Sequence, residues 1–221
     1  MENAIYQKKL LNQAIIEMLS LSFSQFEKAM DAFSKNDADL AEEVIHKETR
    51  VNALDLKIEK DCERFIALFT PVAIDLRHIM AVLKINYELE RIADHAFSVS
   101  KYLIEDEKLM PSKLLDAINF KAIVETINEM FDLISEAYEN NNVKAARKIF
   151  KKDKILDKIN LKSFEILESE IKKDIEITGK ALILLSVIKK CERVGDLLKN
   201  IAEEIIFYLD AEVLKHKKKK K

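Results

Sequence analysis

Apolar residues along this chain keep a helical rhythm. Between positions 82 and 103 they fall at Val82, Ile85, Leu89, Ile92, Ala96, Val99 and Leu103. Spacings of three and four line one face of a helix. Shifted by 102 residues, the same comb lands on Leu184, Val187, Cys191, Val194, Leu198, Ile201 and Ile205, all apolar. Earlier segments repeat at an offset nearer 105. Ala32-Phe33-Ser34-Lys35-Asn36 parallels Ala137-Tyr138-Glu139-Asn140-Asn141, and Glu48, Val51, Asn52 and Leu54 parallel Asp153, Leu156, Asp157 and Ile159. Self-similarity at a fixed period marks a duplicated structural unit.

The pattern predicts six helices: 3–34, 38–68, 71–105, 113–139, 143–172, and one opened by Thr178-Gly179 that runs to about 210. Asp37 is placed to cap the second. Thr70 and Pro71 read as the N-cap and first residue of the third, where a missing N–H does no harm. Asn140-Asn141-Asn142 ends the fourth. Residues 106–113, with Pro111 among them, read as a linker. Helices joined by short connections pack antiparallel. The expectation is an all-α fold of six long antiparallel helices. They form two tandem three-helix bundles, 1–106 and 113–210, in a pseudo-twofold arrangement, followed by a lysine-rich tail, 211–221.

Composition sharpens this picture. Two Gly, two Pro and 34% charged residues in 221 suit long helices and starve a turn-rich β fold. No apolar run reaches the roughly 18 residues of a membrane span. Met1–Lys9 lacks a signal-peptide pattern. Cys62 and Cys191 form no CxxC and sit on apolar spacing, which suits small core residues in a reducing compartment. The net charge is −2, but Lys215 and Lys217–Lys221 supply six positive charges, so the body without them carries −8. An acidic body argues against nucleic acid as the main partner.

Both seams carry the same acidic decoration: Glu90-Arg91-Ile92-Ala93-Asp94 and Glu192-Arg193-Val194-Gly195-Asp196. Residues i and i+4 project side by side, so each motif sets two carboxylates on one helix face. Asp153 and Asp157 repeat that spacing on the fifth helix, and Glu48 and Asn52 take the matching places on the second. Asn200 extends the second row by a turn, where the first has Ser98. Neighbouring carboxylates repel, and a bound cation reverses the sign. Such oxygen donors suit hard ions, and carboxylate-rich bundles also hold iron. Acids are abundant in this chain, so one such pair alone is a weak signal; the repetition is what singles these out. Glu43…His46 has the ExxH spacing of di-iron bundles but no second copy, so His46 reads as a surface residue. His95 reads as flanking the Asp94 site. No Gly-rich phosphate loop, GxSxG or HExxH occurs.

Thr70-Pro71-Val72-Ala73-Ile74-Asp75-Leu76-Arg77, Leu83-Lys84-Ile85, Glu88-Leu89-Glu90-Arg91-Ile92-Ala93-Asp94-His95-Ala96 and the second motif through Asn200-Ile201-Ala202-Glu203 together resemble the PhoU family. The resemblance covers nearly all of the chain except the lysine tail. It implies two three-helix repeats with E/DxxxD motifs, and a cytoplasmic regulator of phosphate uptake. Such a regulator couples phosphate transporter subunits to a sensor histidine kinase and represses the starvation response. The resemblance also implies a homodimer and metal ions (iron, zinc, manganese or magnesium) at the acidic motifs. The ligand set it implies is Glu90, Asp94, Glu192 and Asp196, with Glu48, Asp153, Asp157 and Asn200 contributing. Asn52, Ser98 and Leu197 depart from the family pattern, and the first site is the poorer in good ligands. A metal-dependent enzyme and a metal-free helical scaffold are the competing readings. The lysine tail has two readings, attraction to an anionic membrane surface and an aid to solubility alone.

Overall fold

The computed structural model describes residues 2–105, 109–211 and 214. Seven α-helices occur among them: α1 (Glu2–Lys35), α2 (Ala38–Phe69), α3 (Ala73–Glu105), α4 (Ser112–Ala117), α5 (Phe120–Glu139), α6 (Val143–Lys173) and α7 (Thr178–Asp210). A 3₁₀ turn, Ile175–Ile177, precedes α7, and the described residues include no strand.

The two α1–α2 type turns are built alike. Asn36 adopts φ 56° and Asn141 φ 51°, a left-handed conformation that Asn tolerates better than most residues. The next residue then caps the following helix. Asp37 Oδ1 accepts from the Leu40 N–H at 3.0 Å, and Asn142 Oδ1 accepts from Lys144 and Ala145 N–H at 3.1 and 3.3 Å. Each cap satisfies N–H groups that the first helical turn leaves unpaired.

Two sequence expectations need correction. Thr70 closes α2 and does not open α3: it sits at φ 44° with its N–H on Ile66 O, and α3 begins at Ala73. Pro71 disfavours the right-handed helical region for the residue before it, so the helix ends there. The fourth helix is not continuous. Asn119, at φ 52°, breaks it into α4 and α5. The break leaves Leu114, Leu115, Ile118 and Phe120 all buried, with the Phe120 ring 5.7 Å from that of Phe33. Helix α4 takes up Ser112 and Lys113 from the anticipated linker; residues 106–108 and all but Ala211 and Leu214 of the tail lie outside the described residues.

Helices α1, α2 and α3 pack on one another, as do α5, α6 and α7, and α3 lies along α7. All fourteen seam residues read from the sequence are buried except Leu103, which is partly covered. The buried residues of both halves form one core, joined by ring contacts of Phe131 with Phe23 and Phe26 at 4.8 and 5.9 Å.

The α3–α7 contact shows the repeat in its geometry. Lys84 Nζ meets Glu204 Oε2 at 3.0 Å, and Tyr102 and Ser186 hydroxyls meet at 3.1 Å. Shifted by 102, Lys84 becomes Ser186 and Tyr102 becomes Glu204. The two contacts are one contact repeated with the helices exchanged, as a pseudo-twofold axis between antiparallel α3 and α7 requires.

Candidate functional site

The acidic motifs occupy two equivalent places, one on the α2–α3 face and one on the α6–α7 face. On the first, Asp94 and Asn52 are exposed while Glu48 and Glu90 are half-buried. Burial, followed by the charges of Asp94 and Glu90, pushes the Glu48 carboxyl up to about 7, with Asn52 acting in the opposite sense. Glu90 is raised by burial and then by Asp94 and Asp55, with Arg91 opposing. Glu48 Oε2 is buried and has no hydrogen-bond partner. A buried carboxylate oxygen left unpaired is costly and lacks a cation or a proton.

The second face is arranged differently. Asp153 is 6% exposed on α6, and Asp196 and Glu192 are partly covered on α7. Asp157 is exposed. Between α6 and α7 stands Lys199, whose ammonium donates to Asp153 Oδ2 at 2.8 Å and to Asp196 Oδ1 at 2.5 Å. Burial pulls the Lys199 pKa down, but the hydrogen bonds to Asp153 and Asp196 outweigh it and raise it. Glu192 is raised by burial and then by Asp196 and Asp157.

Asn200 lies on α7 but turns toward the other repeat. Its amide donates to Glu88 Oε1 at 3.1 Å, and Arg91 Nη1 holds the second Glu88 oxygen at 3.1 Å. Asn200, Asp196, Leu197, Arg91 and Arg193 line a cavity of about 360 Å³ between the repeats.

The structure thus brings Glu48 to Glu90 and Asp94, and Asp153 to Asp196. It engages Asn200 across the repeat interface. Among the described residues, no group of three His, Cys, Asp or Glu side chains stands ready as a metal shell. The first cluster nevertheless fits a hard cation in its donor chemistry: three carboxylates, those of Glu48, Glu90 and Asp94, one of them with an orphaned buried oxygen. The second does not fit while Lys199 fills it. Lys199 is the residue that sequence reasoning missed. The signal was present as an Asp–Lys pair at i, i+3 that breaks the repeat, for Phe97 stands at the matching position.

The remaining candidates are structural. His46 is exposed, and its ExxH partner Glu43 is taken by Lys28 and Lys47. Burial, with Lys190, Arg193 and Arg91 nearby, lowers the His95 pKa to about 4. Cys62 and Cys191 are buried free thiols, and Cys191 Sγ lies 3.6 Å from Met30 Sδ.

Duplicated three-helix units around one core, with paired carboxylates at matched positions, define a tandem-repeat helical bundle. The PhoU domain matches twice, at residues 15–103 and 120–205, and the chain belongs to the PhoU family. Its sequence is 31% identical over 204 residues to the phosphate-specific transport system accessory protein PhoU homolog of Aquifex aeolicus, covering 92% of this chain and 91% of that one. It is 28% identical over 202 residues to the phosphate-specific transport system accessory protein PhoU of Edwardsiella tarda, covering 91% and 82%. The fold superposes on the crystal structure of PhoU from Pseudomonas aeruginosa with TM-score 0.84 at 22% identity, covering 94% of this chain and 99% of that one. It superposes on the phosphate transport system regulatory protein PhoU from Streptococcus pneumoniae with TM-score 0.80 at 22% identity, covering 96% and 99%. No described helix is long and apolar enough to cross a membrane.

Proposed function

We propose that this protein regulates phosphate uptake and phosphate-starvation signalling by binding partners, with no chemistry of its own. The observation that carries the reading is the match of both repeats to the PhoU domain, with relatives along more than nine-tenths of the chain named as accessory proteins of phosphate-specific transport. In this reading the protein is a cytoplasmic homodimer at the inner face of the membrane. It links phosphate transporter subunits to a sensor histidine kinase and represses the response when phosphate is plentiful.

The first acidic face serves that role as a metal site. Glu48, Glu90 and Asp94 would hold a divalent or trivalent ion on the first face. A bound cation would neutralise carboxylates that repel one another and would tie α2 to α3. The orphaned Glu48 oxygen supports this assignment.

Deleting the gene tests the regulatory claim. Phosphate-starvation genes should be expressed even in rich phosphate, and unchanged expression would refute it. A pull-down at high and low phosphate tests the adaptor claim, which requires recovery of transporter or kinase subunits.

A further inference from the structure

We propose that Lys199 is the resident cation of the second acidic cluster and stands in the place of a metal ion, so that the two repeats are chemically unequal. The inference rests on the reading that the acidic motifs of this family take metal, and it departs from that reading at one of the two sites.

The geometry carries it. Lys199 Nζ bridges Asp153 Oδ2 on α6 and Asp196 Oδ1 on α7, at 2.8 and 2.5 Å. These carboxylates each belong to one of the two i, i+4 pairs, Asp153/Asp157 and Glu192/Asp196, and Asp153 is the buried member of the first. A metal bridging α6 to α7 would need the same oxygens. The Asp153 side chain is 9% exposed, that of Lys199 26% and that of Asp196 47%, so the Asp153 end of the bridge is drawn out of water and its carboxylate depends on the ammonium as partner. Ejecting it would put a metal and a lysine against each other in a partly buried site, a repulsion that water screens poorly there.

The backbone is shaped for this pairing. Gly195 lacks the Cβ that its counterpart Ala93 carries. A methyl group there would come within 2.6 Å of Leu156 Cδ1 and 3.8 Å of Asp153 Oδ1. The missing methyl lets α6 approach α7 closely enough for Asp153 to reach Lys199. On the first face Phe97 stands where Lys199 would be, no cation bridges α2 to α3 there among the described residues, and the Glu48 oxygen is left without a partner.

Two consequences separate this arrangement from two equal metal sites. The α6–α7 seam is closed at all metal concentrations, whereas the α2–α3 seam responds to metal. Removing Lys199 should unmask a binding site.

The test uses the full chain, stripped with chelator and then titrated with Mn²⁺ alone, with bound metal measured by equilibrium dialysis. Asp153→Asn plus Asp196→Asn should leave the uptake of the parent unchanged. Lys199→Met should gain one further equivalent, which the same two aspartate substitutions then abolish. Lys199→Arg, which keeps the cation, should behave as the parent. Lys199→Gln provides the same test should the methionine variant misfold, with circular dichroism as the check on folding. Amide exchange in the parent should slow in α2 and α3 on adding Mn²⁺ and stay unchanged in α6 and α7. Loss of an equivalent from the parent on substituting the two aspartates would overturn the proposal, as would folded Lys199 variants that gain none. Failure of the underlying metal reading shows separately, as absence of uptake by the parent together with indifference to Glu48→Gln and Asp94→Asn.

Discussion

Gly195 on α7 and Leu156 on α6 are in such close register that a methyl group added at Gly195 would lie 2.6 Å from Leu156 Cδ1. Leu156 is 2% exposed, so its side chain has nowhere to retreat. Glycine inside a helix costs up to about 1 kcal/mol relative to alanine, and overpacking a core costs about 1–3 kcal/mol. Gly195→Ala should therefore destabilise the protein by about 1 kcal/mol in urea denaturation, and adding Leu156→Val should recover most of it. Gly179 is the contrast, since a methyl group there meets no atom within 4 Å. Gly179→Ala should stabilise by about 0.5 kcal/mol.

His78 sets an acid limit on stability. It is 5% exposed, and its ring meets that of Tyr208 edge-on at 5.3 Å. Burial, then the charge of Lys8, lowers its pKa to about 4, against a small upward pull from Asp75. The folded state disfavours the charged imidazole, so this contribution is complete above the unfolded value near 6.5 and is lost as pH falls toward 4. The loss is up to about 1.4 kcal/mol per pH unit across that window. His78→Phe should flatten the pH dependence of the urea midpoint between those limits. An unchanged slope would place the acid sensitivity elsewhere.

Glu48 predicts the opposite sign. Its folded pKa of about 7 lies above the unfolded value, so the apo protein loses this contribution as pH rises from near 4.5 through 7. Glu48→Gln should raise the melting temperature of chelator-treated protein at pH 8 and leave it unaltered at pH 4. With Mn²⁺ present the order should reverse, because the substitution removes a ligand. Equal melting with and without Mn²⁺ in both proteins would count against the first metal site.

The lysines at 217–221 lie outside the described residues, and their proposed role rests on charge alone. Deleting them should weaken binding to vesicles containing anionic lipid by roughly 1 kcal/mol per lysine near the surface at low salt. The difference should fade as salt shortens the screening length. Equal binding by the two forms would remove the membrane role and leave phosphate regulation untouched.

Periodicity is a property of neighbours along one helix, and the chain alone therefore determined the helices, the duplication and the faces that turn inward. Val82 through Val99 and Leu184 through Ile205 were legible because burial at spacings of three and four writes itself directly into residue type. Asp37 as a cap was legible for the same local reason. Asn119 was less so, because its left-handed turn is stabilised by Leu115, Ile118 and Phe120 all reaching a core that includes Phe33, far away in sequence. Which partner each acidic residue meets is a matter of distances between helices, and only the tertiary structure decided it. Asp153 and Asp196 read from the sequence as carboxylates in want of a cation; the packing of α6 on α7 brings Asp153 to the Lys199 ammonium that already meets Asp196. Asn200 read from the sequence as a possible further ligand, and the packing of α3 along α7 is what places Glu88 opposite its amide nitrogen. Charges at i and i+4 specify a face; the cation that satisfies them depends on what the neighbouring helix carries to that face, and at what distance.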